Sequence, residues 1–167
     1  NIIPDLGSIS KGLTAGFLPM GITLAKEEIF QTFIDDSPKK TFWHGHSFTA
    51  NPLGCAAANA SLDLLEKTPQ KFISFEDRHN SHLVNLRKLP SIKKIRITGT
   101  IAAFDLDVGN NEGYLNNIGK KIKNLAIEKG LFIRPLGNTI YLLPPLCITD
   151  DQLEKSYMII NSILNEL

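Results

Sequence analysis

The spacing of apolar positions divides the chain into distinct textures. From Pro4 to Leu24, short apolar runs alternate with Gly, Ser and Pro, which predicts strand, loop and strand rather than helix. "KEEIFQTFI" places Ile29, Phe33 and Ile34 at helical spacing behind two acids, a short helix. "DDSPKKTFWHGHSFTA" has neither period and reads as a loop. In "NPLGCAAANASLDLLEK", Asn51 is placed to cap, Pro52 fits the first turn, and the helix runs to Lys67. Small residues fill its first half, so another segment must pack close against it. A second helix, about Gln70 to Leu89, follows Pro69 and carries Glu76, Asp77, Arg78 and Lys88 on its polar face.

Beyond Pro90 the pattern changes. "KKIRITGTIAAFDLDV" predicts two strands broken at Gly99. "YLNNIGKKIKNLAIEKG" predicts a helix with Leu115, Ile118, Ile122 and Leu125 on one face and Gly130 as its stop. "LFIRPLGNTIYLLPPL" reads as a hairpin turning at Gly137-Asn138. In the last helix, Thr149 and Gln152 are spaced as a capping box, and Leu153, Tyr157, Ile160 and Leu164 form the stripe to be buried. This order describes a small α+β lobe, with a boundary near residue 68.

Composition narrows the classes. Over 167 residues, 43% hydrophobic and 21% charged content indicates a globular chain rather than a disordered one. A net charge of +1 gives no basic field for nucleic acid. Cys55 and Cys147 form no C-x-x-C pair, which argues against a disulfide framework or a zinc site and fits a reducing cytoplasm. No apolar run reaches the length of a membrane span. The start shows no leader and no initiator Met, so the chain is expected to be cut from something longer.

Three places could carry chemistry. Lys11, in "GSISKGLTAGF", is surrounded by small residues: either a surface lysine at a strand end, or an amine given room for a cofactor. In "WHGHSFTANP", His44 and His46 lack a third ligand for a metal, whereas Gly45 and the Ser47 hydroxyl ahead of a helix suit an anion such as phosphate; a plain serine turn explains them equally well. Arg134, held extended by Pro135 amid apolar residues, calls for a carboxylate from the protein or from a substrate, and Tyr141 either shares that pocket or joins the core. Asp105 and Asp107 alternate with apolar residues and read as solvated. No P-loop, G-x-G-x-x-G, Ser-His-Asp order or paired-carboxylate signature is present.

Taken in order, "SKGLTAGFLPMGITLA", "HGHSFTANPLGCAAANASL" and "IRPLGNTIYLLPPL" resemble the class III, pyridoxal-phosphate-dependent aminotransferases over essentially the whole chain. The third motif favours the branch of biotin synthesis over ornithine, acetylornithine or γ-aminobutyrate relatives. The resemblance implies an α/β, fold-type I transferase: residues 1–67 as the end of the large pyridoxal-phosphate domain, residues 68–167 as the small C-terminal α+β domain. It implies that Lys11 carries pyridoxal 5′-phosphate and shuttles the proton. Gly45, His46 and Ser47 match the loop that reaches the cofactor phosphate and substrate of the neighbouring subunit in a homodimer. Ser47 supplies the hydroxyl. His46 stands where some members have proline, so it is expected to act through its backbone. Arg134 matches the arginine that holds the substrate carboxylate, with Tyr141 lining the same pocket. The implied substrates are S-adenosylmethionine and 8-amino-7-oxononanoate, the donor being the less constrained.

The family's chain is more than twice this length, and the difference is N-terminal. The expectation is therefore a C-terminal piece that by itself neither holds the cofactor well nor catalyses. A stand-alone α+β module without chemistry is the rival from another class.

Overall fold

The computed structural model describes residues 2–69, 73–111 and 113–167, which form two compact units, Asn1–Thr68 and Pro69–Leu167. The beginning of the helix expected from Gln70 lies outside the described residues.

In the first unit, β1 (Leu6–Ser10) and β2 (Gly21–Ala25) pair antiparallel with Leu6 opposite Ala25 and Ser10 opposite Gly21. Between them lies a 3-10 turn over Lys11–Thr14, ended by Ala15 and Gly16 in the left-handed region. Helix α1 is shorter than its apolar spacing suggested. It covers Glu27–Gln31, and Phe33 and Ile34 lie beyond it, exposed. Helix α2 (Pro52–Lys67) begins as expected, with the Gly54 amide donating to Asn51 Oδ1 at 2.7 Å.

The small residues of α2 have a visible reason. Gly54, Ala58 and Ser61, spaced along one face, are its buried positions. A Cβ at Gly54 would meet Met20 Sδ at 3.0 Å, and Ser61 Oγ donates to the Gly12 carbonyl at 3.4 Å. The stripe lets the Lys11 turn lie directly on the helix. Leu13 and Thr14 of the turn are themselves buried.

The second unit is a three-stranded antiparallel sheet ordered β3 (Ile92–Thr98), β4 (Ile101–Leu106), β5 (Thr139–Leu142). Helices α3 (Phe75–Leu86), α4 (Ile118–Glu128) and α5 (Asp150–Asn165) supply the rest of the core. Leu83 and Leu86, Ile122 and Ala126, and Leu153, Tyr157, Ile160 and Ile163 meet Ala102, Phe104, Leu106, Ile140 and Leu142 there. A bulge between Lys93 and Arg96, with Lys94 at φ +49°, lets Ile92 and Ile95 turn to the core despite their odd spacing. Thr149 and Gln152 form the expected capping box. Arg78 is more than a solvated residue of α3. Its Nε donates to Asp150 at 2.7 Å and its Nη2 to the Ile148 carbonyl at 3.1 Å, which ties α3 to the start of α5.

Four expectations change here. The hairpin is reduced to its turn: Leu136 and Thr139 bridge antiparallel around Gly137-Asn138, but β5 pairs with β4 and residues 131–135 form no strand. Their donors are committed elsewhere. The Leu131 amide donates to Ala126 O at 2.7 Å and the Gly130 amide to Ile127 O at 2.9 Å, the paired bonds of a Schellman cap with Gly130 at φ +83°. Pro135 has no N–H to offer. Leu115 is exposed rather than on the helix face, because the Ile118 amide donates to Asn116 Oδ1 and α4 starts only there. Leu164 yields the fully buried place on α5 to Ile163. Asp105 is buried, not solvated. It accepts from Thr139 Oγ1 at 2.8 Å and Arg96 Nη2 at 3.0 Å. Burial pushes its carboxyl up, but these hydrogen bonds and the Arg96 and Lys94 charges hold it below its ordinary value.

His79 is the largest polar surprise, fully buried between α3 and α5. The Thr100 carbonyl, 3.0 Å from Nε2, can only accept, so Nε2 carries the proton and Nδ1 accepts from the Tyr157 hydroxyl at 2.7 Å. A neutral ring satisfies both contacts, and burial favours that form. Desolvation lowers its pKa, the bond to Thr100 opposes this, and the charges of Arg78 and His82 add to the lowering. The unfolded chain takes up a proton near pH 6.5 that the folded one refuses. Stability is then fully present above that pH and declines as pH falls towards the lower folded value. The carboxylates with lowered pKa act only further down, below the ordinary carboxylate range. Thermal unfolding of the wild type should thus show a loss between pH 7.5 and 5.5 that His79→Gln flattens. A parallel pH dependence in the two proteins would remove His79 as the cause.

Candidate functional site

Lys11 opens its turn at φ +53°, a left-handed conformation that a lysine adopts only when its surroundings impose it. The reverse turn completed by Ala15 and Gly16, together with the Thr14 hydroxyl donating to the Leu18 carbonyl, fixes the chain around it. Its side chain is exposed and makes no hydrogen bond or ion pair among the described residues. It borders an open concavity formed with Ser10, Gly12, Gly16, Leu18, Pro19 and Met20. A free amine on a rigid base beside small residues fits the attachment of a carbonyl-bearing cofactor.

Gly45, His46 and Ser47 lie on an exposed loop ahead of α2. His46 Nδ1 accepts from the Phe48 amide at 3.1 Å, so that ring nitrogen is already committed. Around Gly45 a Cβ would meet nothing, which leaves its backbone open to an approaching group. The Ser47 hydroxyl has no partner among the described residues. No hydrogen bond among those residues joins this loop to Lys11. No three His, Cys, Asp or Glu residues gather where they could hold a metal, again among the described residues. Cys55 and Cys147 are both free thiols.

Arg134 and Tyr141 are brought together. Both line a cavity of about 380 Å³ whose other walls include Phe132, Leu143, Pro144 and Ile148. Ile133 is buried in the core and Pro135 follows, so the backbone of Arg134 is fixed on both sides while its side chain stays exposed. Neither the guanidinium nor the Tyr141 hydroxyl has a partner among the described residues. In the sheet, Tyr141 stands opposite Ala103, on the face away from the core residues Ile140 and Leu142. An unpaired guanidinium beside an aliphatic wall can take a carboxylate with an apolar chain attached.

By sequence, Asn138 is only a turn residue. It is buried, its Nδ2 donating to the Leu106 carbonyl at 2.8 Å and its Oδ1 accepting from the Gly113 amide at 2.9 Å. The "GN" pair signalled the turn but not the long-range partners.

Comparison with known proteins decides the family. The model for "Aminotransferase class-III" matches residues 1–164. The chain belongs to the class-III aminotransferases. This class is pyridoxal-phosphate-dependent. Among its members, the adenosylmethionine-8-amino-7-oxononanoate aminotransferase of Synechococcus elongatus is 50% identical over 99% of this chain and 39% of its own length. The Geobacter sulfurreducens protein of the same name is 39% identical over 92% of this chain and 35% of its own. The crystal structure of the Methanocaldococcus jannaschii aminotransferase of that name matches with a TM-score of 0.82 and 31% identity, covering 96% of this chain and 39% of that one. The class-III chain described here thus spans under half the length of these relatives. Among the described residues, no helix is long and apolar enough to cross a membrane.

Proposed function

We propose that the protein carrying this chain transfers an amino group from S-adenosylmethionine to 8-amino-7-oxononanoate, giving 7,8-diaminononanoate, a step of biotin synthesis. The observation that carries this reading is the unpaired Arg134 beside Tyr141 in an aliphatic cavity, in a chain half identical to an aminotransferase named for those two substrates. Pyridoxal phosphate, when bound, supplies the electron sink that lets one amino group be taken up and passed on. Lys11 Nζ would hold it and, once released as the neutral amine, would move a proton on and off the substrate carbon that bears nitrogen. Ser47 Oγ would donate to the phosphate. The backbone of Gly45 and His46 closes over the phosphate and substrate, contributed by one subunit to the site of its neighbour in a homodimer. Arg134 receives the carboxylate of the nonanoate and Tyr141 packs along its chain. The setting is the cytoplasm, where both thiols stay reduced.

Steady-state kinetics on the complete gene product test the acceptor assignment. Arg134→Ala should raise KM for 8-amino-7-oxononanoate by roughly 10- to 100-fold, the range of a lost charge-assisted hydrogen bond, and leave KM for the amino donor in place. An unchanged acceptor KM, or turnover only with small ω-amino acids, overturns the assignment. Replacing S-adenosylmethionine by lysine in the same assay tests the donor.

A further inference from the structure

We propose that Asn138 is a positioning residue for substrate carboxylate recognition, acting through the backbone that presents Arg134; this rests on the role given to Arg134 above. Arg134 belongs to no strand, so no ladder of hydrogen bonds holds it in place. Its carboxyl-side neighbours are held instead by a lock built on Asn138. Leu136 and Thr139 exchange both backbone hydrogen bonds at 2.9 Å, closing the turn. The Asn138 carbonyl accepts from the Leu106 amide at 2.9 Å, and its carboxamide returns a bond to the Leu106 carbonyl. The other end of the carboxamide accepts from the Gly113 amide and so draws the segment before α4 onto the turn. The start of α4 leaves no slack either. A Cβ on Gly119 would stand 2.3 Å from the Gly137 carbonyl oxygen and 2.9 Å from Pro135 Cβ. The first turn of α4 therefore presses on the residues that follow Arg134.

One carboxamide thus ties the end of β4, the loop before α4 and the turn after Arg134 together. A bidentate guanidinium needs its geometry held, because a displacement of about 1 Å in a positioning group costs on the order of 100-fold. Asn138 itself is buried and satisfied, so it has no group left for the substrate.

The test is a double-mutant cycle on the complete enzyme. Asn138→Ala is expected to raise KM for 8-amino-7-oxononanoate about tenfold, with kcat and donor KM changed less than twofold. In the Arg134→Ala background the same substitution should add less than twofold. The methyl ester of the substrate, which carries no charge for Arg134 to bind, should likewise not distinguish Asn138→Ala from wild type. Asn138→Asp keeps the side-chain volume and the bond from Gly113 but sets oxygen against the Leu106 carbonyl. It provides the same readout if the alanine variant does not fold. Equal losses for acid and ester, or additive losses with Arg134→Ala, overturn the proposal and leave Asn138 a structural residue. If Arg134→Ala leaves the acceptor KM unchanged, the functional reading has failed instead, whatever Asn138→Ala does.

Discussion

Lys11→Ala is expected to reduce amino transfer by the complete enzyme by roughly a thousandfold or more while leaving the fold intact. The size of the loss follows from the role proposed for Lys11, in which the proton-moving amine and the point of cofactor attachment would be lost together; general acid–base work alone accounts for about 10²–10⁴. The fold survives because the side chain is exposed and has no partner among the described residues. The sharper variant is Lys11→Gly. Lysine at φ +53° carries strain of about 1–2 kcal/mol that glycine does not. Glycine also orders at some entropic cost, so thermal unfolding of Lys11→Gly should match or slightly exceed wild type while activity is lost. Strain placed under a functional side chain predicts this opposition of stability and activity. Turnover by Lys11→Ala within tenfold of wild type would remove Lys11 from the mechanism.

Gly137→Ala should be the most damaging single methyl in the second unit, destabilising it by about 4 kcal/mol or more. Two causes combine. Gly137 has φ +60°, which costs an alanine roughly 1–2 kcal/mol. The added Cβ would also lie 1.9 Å from the Gly113 carbonyl oxygen and 2.7 Å from Tyr114 Cα, and both are backbone atoms that cannot swing away. Gly99 separates the two causes. It has φ +55° but a Cβ there meets nothing, so Gly99→Ala should cost only the conformational part. Urea unfolding midpoints of the two variants give the comparison. Equal midpoints would mean that the loop at Gly113 yields freely and does not clamp the turn.

The two glycines show why the elements were legible while part of the tertiary arrangement was not. Gly99 and Gly130 act locally: one breaks β3 from β4, the other ends α4, and sequence spacing showed both. Gly137 looked equally local, as half of a hairpin turn. Its constraint comes from Gly113 and Gly119, which chain order does not connect to it. The same contrast separates Thr149, whose capping partner is three residues away, from His79, whose partners Tyr157 and Thr100 lie on other elements. The hairpin expectation failed because its first strand lost donors at both ends, to the cap after Gly130 and to Pro135. Asp105 fits a solvated alternation by sequence, yet Thr139 and Arg96 close over it once β4 becomes the central strand.

Lys11, the Gly45–Ser47 loop and Arg134 could each be singled out from their neighbours, and the family resemblance implied a chemistry for each. Sequence by itself determined which residue types were available, that Asn51 and Thr149 start helices and Gly130 ends one, and that α2 needed a face of small residues, because caps and side-chain volume act over a few residues. Only the tertiary structure decided that Lys11 sits in the left-handed region on that face, that Arg134 shares a cavity with Tyr141, and that Asn138 holds the turn between them. These depend on which distant backbone groups compete for the same donors and the same space, and a linear pattern does not carry that competition.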